Sequence, residues 1–195
     1  MTLEAFRKDF KITANRSISM PLAGVIVWSA VAFISIQLEE IQSVLVLLFA
    51  TSAIFPIALL IARIRNEDLL TTKNPLGKLL GLSILMVNLF WAVHISLYLH
   101  VPELVPLSVG VGLGLHWIVF PWIVKHPVGI IHADLRTALI LLAWIVFKES
   151  RVLAVSVAVV VNYLISIFIM ATRRIGFAQD RPGINSIAHE VGGSK

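Results

Sequence analysis

Six side chains in this 195-residue chain are of types that do chemistry, yet they stand in apolar surroundings: Arg136, His132, Asp134, His116, Asn88 and Asn162. Arginine keeps its charge at any accessible pH and presents a planar fork of N–H donors, which suits a carboxylate or phosphate. His132 stands four residues before Arg136, so on a helix the two share a face. Asp134, two residues from Arg136, points to a nearly opposite face and needs a partner of its own. Arg136 with His132 and His116 would attract an anionic or polar solute, and Asn88 and Asn162 would hydrogen-bond it. Asp134, the one acidic residue inside an apolar segment, would carry a coupled proton. The bland alternative is that Arg136 snorkels to the membrane surface, Asp134 meets a loop cation, and the two asparagines join helices at about 0.6 kcal/mol each.

Other chemistries find less support. The absence of Cys excludes thiolate metal sites and a disulfide scaffold. His126, His132 and Asp134 are ligand types, but their H-x5-H-x-D spacing matches no standard metal site, and Pro127 and Gly129 intervene. His94 and His116 would differ by about 10 Å in depth, which argues against a shared haem. Neither a nucleophile elbow, a zinc-protease helix, a Walker loop nor a dinucleotide fingerprint occurs. Gly110, Gly112 and Gly114 lead into His116. Gly110 and Gly114 suit close helix contact, or a helix loosened so that backbone groups line a cavity.

These residues need elements to hold them, and the composition says which. Hydrophobic residues make up 58% of the chain and charged ones 14%, against about 45–50% and 25% in soluble domains. An ordinary water-soluble fold and a disordered chain are both excluded. The expected class is all-α, an integral membrane bundle of six transmembrane helices arranged as three hairpins. Five segments are long apolar runs: 19–38, 42–62, 79–99, 104–124 and 152–171. The run Thr137–Phe147 is only 11 residues, so a spanning helix there must start near Val128 and carry His132, Asp134 and Arg136 inward; otherwise the chain re-enters at Pro127–Gly129. At about 1.5 Å per residue, Asn88, His116, Arg136 and Asn162 fall in one layer, roughly 12–14 Å from the inner boundary.

The net charge of +5 would suggest nucleic acid in a soluble protein, but the cations lie between the apolar runs. Arg7, Lys8, Lys11, Arg16, Arg63, Arg65, Lys73, Lys78, Lys125, Arg136, Arg173, Arg174, Arg181 and Lys195 fall on one side, against Lys148 and Arg151 on the other. That bias predicts both termini in the cytoplasm, in a plasma or inner membrane. Residues 1–18 form a basic N-terminal segment in which Leu3, Phe6 and Phe10 recur at helical spacing, as in a helix lying on an anionic leaflet; the alternative is a frayed basic tail that only sets topology. Residues 19–175 form the transmembrane domain, and 176–195 a flexible polar tail. The first apolar run is too long for a cleaved signal and would stay as an anchor. Trp28 with Phe55–Pro56 and Trp91 with Phe120–Pro121 hint at a repeat of two hairpins.

The expected function is a small transporter or channel for a polar or anionic solute with a midplane site. The alternatives are a non-catalytic assembly protein, and a membrane-embedded enzyme whose His126, His132 and Asp134 act on headgroups held by Arg136. Enzymatic activity is the lesser expectation. The expected partners are the lipid bilayer, a small solute and further copies of the chain in a homo-oligomer; nucleic acid, cofactors and metals are not expected.

Overall fold

The computed structural model describes residues 2–14, 18–67 and 74–172. The expected tail and the cations Arg16, Lys73, Arg173, Arg174, Arg181 and Lys195 lie outside the described residues. Within them the chain is helical and carries no strands. An N-terminal helix α1 (Leu3–Ala14) is followed by α2 (Ser19–Ser35), α3 (Glu40–Ser52), α4 (Ile54–Arg65), α5 (Pro75–Leu89) and α6 (Trp91–His100). After a 3-10 turn come α7 (Val105–Gly112), a second 3-10 turn at Leu115–Ile118, α8 (Val119–Val124), α9 (Val128–Val146) and α10 (Arg151–Thr172).

Four stretches are long and apolar enough to cross a membrane: Pro75–His100, Pro102–Val124, Val128–Val146 and Arg151–Thr172. Helices α3 and α4, bent by 41° at Ala53, supply a fifth if they act as one span. Helix α2 is apolar but has 17 residues, the lower limit for spanning about 30 Å. Helix α9 starts at Val128 and runs unbroken through His132, Asp134 and Arg136, which gives this segment a length sufficient to span.

Local chemistry sets the boundaries. Asn74 caps α5 by accepting from the Leu76 amide, with Pro75 in the first turn, where its missing N–H costs nothing. Asn66 and Lys125 end α4 and α8 in the left-handed conformation. Pro56 and Pro121, which cannot donate to the helical ladder, each follow a break in their segment.

Helix α10 occupies the centre, packed against α2 on one side and α9 on the other. Trp28, Val31, Leu47, Val105, Val109, Ile140, Val155 and Val159 fill the space between these helices. The α5–α6 stretch is peripheral: 17% of its most apolar window is buried, against 39% in the other three spans. Phe33, Phe49, Ile64, Leu89, Leu99 and Phe168 stand fully outward. Water does not tolerate apolar surface of that extent, whereas hydrocarbon does.

Hydrogen bonds tie the turns at each end of the bundle. At one end the Val152 amide donates to Glu40 (3.3 Å) and Trp144 Nε1 donates to the Glu103 carbonyl (2.7 Å). At the other, Ser19 donates to Glu67 through both its amide and its hydroxyl. Asn74 Nδ2 donates there to the Phe6 carbonyl (2.9 Å) and Asp9 (2.8 Å), and Lys125 Nζ pairs with Glu4 at 2.9 Å. Helix α1 thus turns its apolar side onto the bundle, where Phe6 and Phe10 meet Leu76, Ile123 and Val124.

Candidate functional site

Arg136 is fully buried, and the backbone around it is shaped to admit it. Helix α7 tightens at its end: the Gly114 amide donates to the Val111 carbonyl instead of Gly110. The Gly110 carbonyl, left out of the ladder, accepts from Arg136 Nε at 2.6 Å. A β-carbon on Gly114 would stand 2.6 Å from Arg136 Cδ, so glycine at this position makes room for the arginine stem. A β-carbon on Gly110 would stand 2.9 Å from Ile140 Cδ1 and 3.1 Å from Val155 Cγ1. The glycines therefore give both close contact and a loosened helix, not one instead of the other.

The guanidinium carbon lies 5.1 Å from the Tyr163 ring centroid and 5.6 Å from that of Trp28. Ring faces carry partial negative charge and attract a cation, most strongly when water is excluded. Gly24 lets α2 approach the Tyr163 ring: a β-carbon there would meet ring carbons at 2.6 Å. No carboxylate among the described residues pairs with Arg136. Its two terminal nitrogens, Nη1 and Nη2, are buried without a hydrogen-bond partner among those residues, as are Trp28 Nε1 and Asn162 Oδ1.

One turn toward the start of α9, His132 is equally enclosed. Its ring stacks on Trp117 with centroids 4.1 Å apart and planes inclined by 19°. His132 Nδ1 shares a 2.7 Å hydrogen bond with Ser166, whose hydroxyl also donates to the Asn162 carbonyl. Asn162 Nδ2 lies 3.1 Å from the same histidine nitrogen. Asn162, Tyr163 and Ser166 lie on the buried side of α10 at the 3–4 residue spacing of one helical face. Pro121 interrupts the chain opposite, and Gly129 fits against the Trp117 carbonyl that a proline at 121 cannot bond, where a β-carbon would clash.

The structure thus gathers Arg136, His132 and Asn162 into one buried layer, with His116 beside Trp117, the ring on which His132 stacks. Asn88 is apart: it is exposed on α5 and donates to the Ile84 carbonyl of its own helix. Asp134 is exposed on the outside of α9 and bonds to none of the described residues. One turn further, Thr137 lines an open groove of about 330 Å³ with Phe90, Leu107, Ser108 and Leu141. His126 accepts from the Val128 amide in the turn before α9. His126, His132 and Asp134 form no common cluster, and no group of three ligand-type residues able to hold a metal occurs among the described residues. Tyr163, Trp117 and Ser166 were not singled out from sequence, and Trp28 was noted only as part of a possible repeat. The usable signal was Asn162–Tyr163 with Ser166 inside an otherwise apolar run.

A family model described as a family of unknown function, DUF7010, matches residues 3–173. No curated protein and no solved structure matches the chain.

Proposed function

The chain belongs to the DUF7010 family, and we propose that this member is a small membrane transporter or channel that receives a polar or anionic solute at Arg136. One observation carries the reading: a permanent cation is wholly buried, with both terminal nitrogens unpartnered among the described residues. An uncompensated charge in a low-dielectric interior is costly, so a negatively charged visitor is the natural complement. His132, His116 and Asn162 border the site, while Asp134 is the candidate for proton coupling at the outer face of α9. An assembly protein would be served better by a core whose donors are all satisfied. A headgroup enzyme would need His126, His132 and Asp134 to converge.

The same reading takes the bundle as six spans, with α2 and the bent α3–α4 pair each crossing once. Ties between Glu40 and Val152 at one end, and between Ser19 and Glu67 at the other, support alternating helix directions. Both termini lie on the cytoplasmic side, where the basic loops gather.

The test is anion flux in proteoliposomes. Arg136→Lys should lower flux at least tenfold, because ammonium lacks the planar fork, and Arg136→Ala should remove it. Full activity of a folded Arg136→Ala protein would overturn the proposal. In Asp134→Asn, flux should lose its pH dependence; an unchanged profile assigns coupling elsewhere.

A further inference from the structure

The geometry points to a small planar monoanion, of the nitrate, formate or bicarbonate type, as what Arg136 binds. This inference rests on the anion-site reading above and names its ligand class. The five N–H bonds of a guanidinium lie in one plane. Here Nε is already committed to the Gly110 carbonyl, while Nη1 and Nη2 are unpartnered among the described residues. The two terminal nitrogens form a fork whose spacing matches two oxygens on one trigonal atom, so the complementary ligand is a coplanar oxyanion gripped by two parallel bonds.

Size and charge narrow the class further. The guanidinium lies over the rings of Trp28 and Tyr163, and the Gly114 backbone closes on the arginine stem. Bulk around the cation is therefore already protein, and what is left without a partner among the described residues is its edge. A monoanion on one arginine gives a neutral pair. Sulfate or phosphate dianion would leave a net negative charge in the same dry layer, with no second cation hydrogen-bonded there among the described residues. Such an excess is penalised by desolvation. Trp28 Nε1–H, near the cation and also buried without a partner among the described residues, would supply a third donor for the oxyanion.

Binding is measurable without transport. The purified full chain in detergent is titrated with sodium nitrate and sodium formate, with sodium sulfate at matched ionic strength as reference, and thermal unfolding is followed. A ligand that binds only the folded form raises the unfolding temperature in a saturable way. Nitrate and formate should do so and sulfate should not. Arg136→Lys should shift half-saturation upward at least tenfold. Trp28→Phe keeps the ring, removes the N–H and should weaken nitrate severalfold; it decides the matter if the Arg136 variant does not fold. An equal response to sulfate, the absence of any saturable response, or nitrate binding unaltered in both variants overturns the inference. Saturable nitrate binding without flux would sink the transport reading and leave the site standing. Flux of another solute without such binding would do the reverse.

Discussion

At Gly114 a β-carbon would press on Arg136 at both Cδ (2.6 Å) and Nε (3.1 Å), and the stem has nowhere to retreat because Nε is held by Gly110. Gly114→Ala should therefore destabilise the protein by about 1–3 kcal/mol, the usual range for overfilling a packed interior. Gly81 on α5 is the control: its β-carbon would meet nothing within 4 Å. Gly81→Ala should be neutral or stabilising by up to about 1 kcal/mol, since alanine favours helix over glycine. Thermal unfolding in detergent compares the two; equal losses would mean that Arg136 is not confined. Depth along a helix was legible in the sequence, because the rise per residue is fixed, and it grouped Asn88, His116, Arg136 and Asn162. Direction around the helix was not. In a segment apolar on every side no periodicity marks the buried face, so Asn88 proved to point outward, and neither Trp28 nor Tyr163 was linked to Arg136.

At the scale of elements, α1 shows how a short basic helix is held. A helix of 12 residues is marginal on its own, and Phe6 and Phe10 use the bundle as the apolar partner that spacing alone had assigned to a lipid surface. The Lys125 ammonium, then the Arg7 guanidinium, hold the Glu4 carboxyl below its usual range by hydrogen-bonding its charged form. A depressed carboxyl contributes its tie fully above the ordinary value of about 4.3 and loses it as pH falls through the lower, folded-state value. Protection of the residue 3–14 amides against hydrogen exchange, corrected for the intrinsic pH dependence of exchange, should accordingly fall on acidification from about pH 6 to about pH 3, and less so in Glu4→Gln, which has no tie to lose. Identical pH responses of the two proteins would discard this tie. The prolines at 56 and 121 and the glycines at 110 and 114 marked the two interrupted segments from the sequence, and the structure places the breaks at Ala53 and after Gly112. A proline announces a missing bond without saying which way the helix will adjust.

For the whole molecule, composition made the membrane class readable, since apolar content of this order has no aqueous solution. The number of crossings was harder to read, because α2 sits at the length limit and α3–α4 is bent. Reporter fusions decide it: those at Glu40, Val101 and Glu149 should read external, and those at Lys73 and Lys195 internal. A reversed reporter within the first four spans would overturn the six-span orientation. The central place of α10 has a bearing on how the protein is made. A ribosome delivers α2 well before α10, yet these two helices share one of the most extensive interfaces in the bundle. Until α10 emerges, Trp28 and Arg136 lack Tyr163, and His132 lacks Asn162 and Ser166. Assembly around Arg136 thus waits for α10, and the unfinished chain carries a bare arginine that the insertion machinery or water must shelter meanwhile.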